Sequence, residues 1–167
     1  MKPPPVPVTA AVRVLRAAGV DFVPHLFPYV ERGGTRNSAE ALGVPEHLVV
    51  KTLCMEARGK ETGGPLLVLM HGDHEVSTRE LARQIEAREI FPSNVAAVEK
   101  HTGYVPGGVS PFGTRKTLPV YVEASILELS KLYINGGKRG FLVEIRPEDL
   151  VRVLSPTPVR VAIAKES

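Results

Sequence analysis

Apolar residues recur along this chain with two spacings, and the spacings predict the elements. Thr9 can cap a helix over Ala10 to Ala18 whose apolar positions Val8/Ala11, Val12 and Leu15 follow a helical period, with Gly19 closing it. Phe22 to Phe27 reads as a strand, and Pro24 within it marks an edge or a bulge. Tyr29 to Arg36 is polar, contains Gly33-Gly34, and reads as a flexible loop before a short helix, Ala39 to Leu42, capped by Ser38 and ended by Gly43. His47 to Met55 is apolar and β-branched except at Lys51 and Thr52, the pattern of a strand covered on both faces. Leu66 to Met70 predicts a second buried strand.

The second half carries stronger punctuation. Ser77 and Glu80 have capping-box spacing ahead of a helix continuing from Leu81 to Ala87. Ser93 is placed to cap a helix ending at His101, stopped by Gly103. Tyr104 to Leu118 is rich in Gly and Pro and has no period; a structureless stretch that long is a candidate functional segment. Pro119 to Glu123 predicts a strand and Ser125 to Leu129 a short helix. Lys131 to Asn135 and Gly140 to Ile145 predict two strands joined around Asn135-Gly136-Gly137-Lys138-Arg139. Pro147 starts a helical turn, and Val159 to Ile163 predicts the last strand. Strands outnumber long helices without regular βαβ alternation. The expected fold is therefore α+β: a single compact domain over residues 9–164 with a mixed sheet and helices packed around it, preceded by a Pro-rich tail over residues 1–8.

Composition narrows the class. Val, Leu, Ile and Phe supply 50 of the 167 residues, enough for a sizeable core. A net charge of +3 permits an anionic partner but excludes a polybasic, histone-like protein. One cysteine excludes an internal disulfide framework and a multi-cysteine zinc site. The longest apolar run, Leu66 to Met70, is too short to span a bilayer, and the N-terminal Met1-Lys2-Pro3-Pro4-Pro5 lacks the apolar core of a signal peptide. We expect a cytoplasmic protein without membrane or DNA contacts.

Three segments can carry chemistry. Lys51 lies inside an apolar strand, where a lysine needs either an edge that lets it reach solvent or an anionic ligand at the floor of a pocket. Thr52 adds a hydroxyl, which strand alternation places on the opposite face unless the strand bends. Gly107-Gly108-Val109-Ser110-Pro111-Phe112-Gly113 is either a connecting loop or a run of N–H groups able to hold an oxyanion. Gly136-Gly137-Lys138-Arg139-Gly140 is either a solvated hairpin tip or a phosphate-binding turn, without Walker A spacing. His71-Gly72-Asp73-His74 offers two histidines and one carboxylate with no further ligand cluster nearby in sequence, so no metal and no cofactor is expected. His25 reads as a packed or rim histidine, and Cys54 as an inert buried thiol.

Val50-Lys51-Thr52-Leu53, Gly103 to Gly113 and Asn135 to Gly140, in this order and spacing, resemble the YbaK/EbsC family. That family includes Cys-tRNA(Pro) deacylases and is related to the editing insertion domain of bacterial prolyl-tRNA synthetases. The match runs from about Val8 to Val161. The resemblance implies a partly barrel-like mixed sheet and hydrolysis in trans of mischarged aminoacyl-tRNA, an activity that protects translational fidelity. It implies a catalytic Lys51, with Gly107 and Gly108 offering oxyanion donors. It implies substrate contacts from His25, Phe27, Thr52, Ser110, Pro111, Gly137, Lys138 and Arg139. The implied partners are the acceptor end of aminoacyl-tRNA and prolyl-tRNA synthetase. Family members often carry a tyrosine just after the first-strand histidine. Here that position is Phe27, so the hydroxyl is missing or has moved to Tyr29, which changes which amino acids fit. The competing reading is a non-catalytic RNA- or synthetase-binding module on the same fold.

Overall fold

The structure, a computed structural model, describes residues 5–59 and 63–165. Of the expected Pro-rich tail, residues 1–4 lie outside the described residues; in the rest, Val6 packs against the core. The elements run α1 (Ala10–Ala17), β1 (Val23–Leu26), α2 (Gly34–Leu42), a 3-10 turn (Glu46–Leu48), β2 (Val49–Arg58), β3 (Gly64–His71), β4 (His74–Val76), α3 (Thr78–Gln84), β5 (Glu89–Pro92) and α4 (Val95–Thr102). They continue with β6 (Val120–Glu123), a second 3-10 turn (Ala124–Glu128), β7 (Leu132–Lys138), β8 (Phe141–Ile145), α5 (Pro147–Leu154), β9 (Thr157–Val159) and β10 (Ala162–Ala164).

The fold is mixed α+β. One sheet has the order β1-β8-β7-β2-β3-β6-β9, and β5 pairs with β2 beside that path; β4 and β10 form a separate two-stranded ribbon. β2 runs antiparallel to β3 and parallel to β7, so the sheet is mixed at its centre. The largest buried cluster gathers Ala11, Val12 and Leu15 of α1 with Leu150 of α5, Phe112, and Ile134, Phe141 and Val143 of β7 and β8. A second cluster packs Leu81 and Ala82 of α3 against Met55, Val68 and Met70. The α1 stripe is buried as its period requires, and Thr9 caps it by accepting the Val12 N–H at 3.0 Å.

Local chemistry shifts several expected boundaries. α2 begins at Gly34, inside the expected loop, and Ser38 lies within the helix, donating its hydroxyl to the Thr35 carbonyl at 3.1 Å rather than capping. Asn94 caps α4, its side-chain oxygen accepting the Ala97 N–H at 2.8 Å; the neighbouring Ser93 hydroxyl lies 3.3 Å from the Cys54 thiol instead. The expected final strand divides into β9 and β10. Glu123 Oε1 accepts the N–H groups of Val161 and Ala162 at 2.7 and 3.0 Å, which draws the chain off the main sheet at that point. β4 and β5 are three and four residues long, too short to announce themselves by period.

Candidate active site

The pairing of β2 creates the site. Against β3 its register is continuous from Val50 to Ala57. Along the opposite edge, β7 pairs only at Val49 and Val50, and β5 only from Met55 to Arg58. Lys51 to Cys54 therefore have no strand neighbour on that edge. The orientation of the main chain there follows from its hydrogen bonds. The Val49 carbonyl accepts the Gly72 N–H at 2.6 Å on the β3 side, whereas the Cys54 and Arg58 carbonyls accept Ser93 and Arg88 N–H groups on the other. Alternation turns the N–H and C=O of Thr52 toward the open edge.

A cavity of about 950 Å³ occupies this breach, within the usual range for small-molecule sites. Consecutive residues Val49 to Met55 line it, so Lys51 and Thr52 both reach it despite strand alternation. Phe27, Tyr29, Pro106, Gly107 and Arg139 form the facing wall, and Glu75 and Lys165 lie at another side. The Lys51 ammonium donates to the Gly72 carbonyl at 3.5 Å, a long contact that leaves most of its donor capacity for a ligand. Burial pushes its pKa below the usual lysine value, and Lys165 adds to this, while Glu75, Glu46 and Asp73 oppose it. The Thr52 hydroxyl oxygen is buried without a hydrogen-bond partner among the described residues. An unpaired buried hydroxyl costs about 1–3 kcal/mol and is the kind of group a bound ligand satisfies.

The two glycine-rich segments meet. Asn135 donates from Nδ2 to the Gly107 carbonyl at 3.1 Å, while its Oδ1 accepts the N–H groups of Gly137 and Lys138 at 2.6 and 3.1 Å. Arg139 donates from Nε to the Pro106 carbonyl at 2.8 Å and lays its guanidinium 5.1 Å from the centre of the Tyr29 ring. The loops are close enough that a Cβ on Gly108 would stand 3.0 Å from the Arg139 nitrogen. Gly107 has φ +88°, and a Cβ there would meet the Tyr29 hydroxyl at 2.9 Å. Phe27 and Tyr29 both line the cavity, and the Tyr29 hydroxyl lies beside Gly107.

Not every expected residue faces this cavity. His25 Nε2 lies 2.9 Å from Glu144 Oε1 and its ring packs edge-on against Tyr133. Ser110 is fully buried, accepting the Phe112 N–H at 3.2 Å, and Pro111 is buried beside it. Tyr104 completes that anchor by donating to the Phe112 carbonyl at 2.5 Å, and burial raises its phenol pKa to about 12. The Gly108 N–H, expected as an oxyanion donor, is instead committed to the Val105 carbonyl at 2.9 Å, because the loop turns tightly there. Gly137 and Lys138 stand behind the wall rather than on it, and Arg139 alone of that turn's cations reaches the cavity. Sequence reasoning named Tyr29 only as an alternative source of a missing hydroxyl, and it missed Asn135, Thr35 and Lys165. Asn135 sat within a motif already noted, but the others are brought in by chain crossings that leave no local signal.

The comparisons with known proteins agree with this architecture. The sequence profile of the aminoacyl-tRNA editing domain matches residues 34–153. The chain belongs to that family and is a hydrolase acting on mischarged aminoacyl-tRNA. It is 29% identical over 144 residues to EbsC of Enterococcus faecalis, named as a candidate Cys-tRNA(Pro)/Cys-tRNA(Cys) deacylase, with 86% of each chain covered. It is 29% identical over 103 residues to the proline–tRNA ligase of Stenotrophomonas maltophilia, covering 62% of this chain and 18% of that enzyme. A crystal structure described as a candidate trans-editing enzyme for prolyl-tRNA synthetase superposes with TM-score 0.79 at 22% identity, covering 95% of this chain and 99% of the other. The crystal structure of a protein described as hypothetical superposes with TM-score 0.82 at 23% identity, covering 93% and 100%. No helix among the described residues is long and apolar enough to cross a membrane.

Proposed function

We propose that this protein works in trans on tRNA(Pro) carrying cysteine or another small amino acid, with Lys51 at the centre of the site. The observation that carries this reading is the breach in β2, which sets an ammonium donor and an unpaired main-chain edge at the floor of one cavity. The substrate joins an amino acid to the terminal ribose by an ester. Water adds to the carbonyl carbon and the carbonyl oxygen becomes an oxyanion; as that collapses, the bond between the carbonyl carbon and the ribose oxygen breaks, and the ribose hydroxyl leaves with a proton that came from the water, releasing the free amino acid. Lys51 holds the anionic or ribose end and so orients the ester. The Thr52 and Gly107 N–H groups are the donors for the oxyanion, in place of Gly108. Arg139, stacked on Tyr29, offers a planar cation for the terminal base or its phosphate. In this reading the nucleophilic water is activated by the substrate's own groups, and the Glu31 and Glu75 carboxylates that also line the cavity are not assigned as its base.

The apolar lining from Leu53, Val95 and Val98 suits a small side chain. The exposed cations Lys138 and Arg139 are too few to select a tRNA alone, so choice of tRNA(Pro) would come from docking on prolyl-tRNA synthetase in the cytoplasm. Deacylation of Cys-, Ala-, Ser- and Pro-tRNA(Pro) by the wild type and by Lys51→Ala tests the reading. Cleavage of one mischarged species, lost in a folded variant, supports it. Absence of cleavage of every species, with tRNA binding retained, overturns it in favour of a binding module.

A further inference from the structure

Beyond the residues that line the cavity, His47 converges with the adjacent pair Asp73-His74 from far along the chain. His47 comes from the 3-10 turn before β2, Asp73 from the β3–β4 turn, and His74 from the first position of β4. His47 Nδ1 lies 3.0 Å and His74 Nδ1 2.8 Å from the same oxygen of Asp73, and one ligand atom from each residue falls within 4.8 Å of the others. A tetrahedral ion bound about 2.0–2.2 Å from each donor requires donor-to-donor separations of about 3.3–3.6 Å, so the two histidine–Asp73 contacts would open by a few tenths of an ångström around it, and the two histidine nitrogens already lie within 4.8 Å of each other. The scaffold is held in place. The Gly72 N–H donates to the Val49 carbonyl at 2.6 Å, and the Thr35 hydroxyl lies 3.2 Å from the Gly72 carbonyl. His71, stacked on His47 at 3.8 Å, has both ring nitrogens occupied, by the His47 carbonyl and the Ser125 hydroxyl, so it orients His47 and leaves the ligand role to the other three.

We propose that His47, Asp73 and His74 form a binding site for a divalent transition-metal ion of the zinc, cobalt or nickel type. Two imidazoles and one carboxylate suit such ions rather than magnesium or calcium, which prefer all-oxygen shells. The three side chains are 33–43% exposed, so the remaining positions on the ion are open to water. The ion would tie the turn before β2 to the turn after β3, one residue from the carbonyl that Lys51 holds. The sequence hides the site because His47 is 26 residues from Asp73.

The test uses tag-free, chelator-treated protein titrated with cobalt(II) chloride and, separately, zinc chloride. Visible absorption bands of protein-bound cobalt at one equivalent, a matching calorimetric stoichiometry for zinc, and a zinc-dependent rise in Tm are expected. Asp73→Asn, His47→Ala and His74→Ala should each weaken binding at least about tenfold while circular dichroism stays unchanged, and His25→Ala should bind as the wild type does. Asp73→Asn preserves shape, so it keeps the test decisive if a histidine variant fails to fold. Absence of binding at about 100 µM metal overturns the proposal, as does binding that these three variants leave untouched.

Discussion

Replacing Lys51 by methionine keeps the length and most of the volume of the side chain while removing its charge. In the structure the ammonium has one long hydrogen bond, to the Gly72 carbonyl at 3.5 Å, so its donors are free for the substrate. A charge-assisted hydrogen bond is worth about 1.5–3 kcal/mol, and a unit charge about 4 Å away at an effective dielectric of 20 contributes about 4 kcal/mol. Lys51→Met should therefore lower kcat/KM by about 10-fold to 1,000-fold. Stability should move the other way or stay put, because burial already disfavours the charged amine. The sign follows from linkage. With a folded-state pKa below the unfolded value, the unfolded chain binds more protons between the two, so this group makes the wild type gain stability as pH rises through that interval; Lys51→Met should lack the gain. The assay is single-turnover deacylation of mischarged tRNA(Pro), corrected for spontaneous ester hydrolysis, alongside thermal melts across alkaline pH. A variant within about threefold of wild-type kcat/KM would refute the placing of Lys51 at the reacting ester. A large fall in Tm accompanying the loss would assign Lys51 a structural role instead.

Asn135→Ala removes three hydrogen bonds that staple the two glycine segments, and should cost about 1–3 kcal/mol, read as a lower denaturation midpoint, and weaken substrate binding. Gly107→Ala places a side chain at φ +88° and against the Tyr29 hydroxyl; the strain of about 1–2 kcal/mol should appear as a lowered Tm together with a reduced kcat. Phe27→Tyr adds a hydroxyl to the cavity wall and should change the ranking of Cys-, Ala- and Ser-tRNA(Pro) more than it changes stability, as measured by competing deacylation rates. Tyr104 holds its proton until about pH 12, so its stabilisation is complete below pH about 10 and is lost as pH rises through 12; Tyr104→Phe should flatten that alkaline fall in pH-dependent melts.

Much of the fold is legible in residue spacing. The buried stripe of α1, the paired apolar runs of β2 and β3, and the strands flanking Asn135 to Gly140 each follow their period. Boundaries drifted where a side chain acts locally, as when Asn94 rather than Ser93 caps α4, or Glu123 captures two amides and splits the final strand. Lys51 stood out because a charge inside an apolar strand needs a reason. Gly107 and Arg139 stood out by composition and resemblance. Gly108 illustrates what composition cannot say, since its N–H is consumed by a turn whose geometry no spacing reveals. Lys165 and His47 reach their places through chain crossings and long-range pairing, which a single sequence does not encode locally.

The breach in β2 also bears on how the protein avoids sticking to itself. Exposed sheet edges recruit strands from other chains, and proteins ordinarily blunt them with charge, proline or short length. Here the unpaired stretch is four residues long and lies between β7 and β5, which already occupy the same edge at either end. An incoming strand cannot extend past Cys54 or before Lys51 without displacing a native neighbour. The candidate site thus keeps the hydrogen-bonding appetite of a sheet edge while remaining too narrow a slot to seed fibrils.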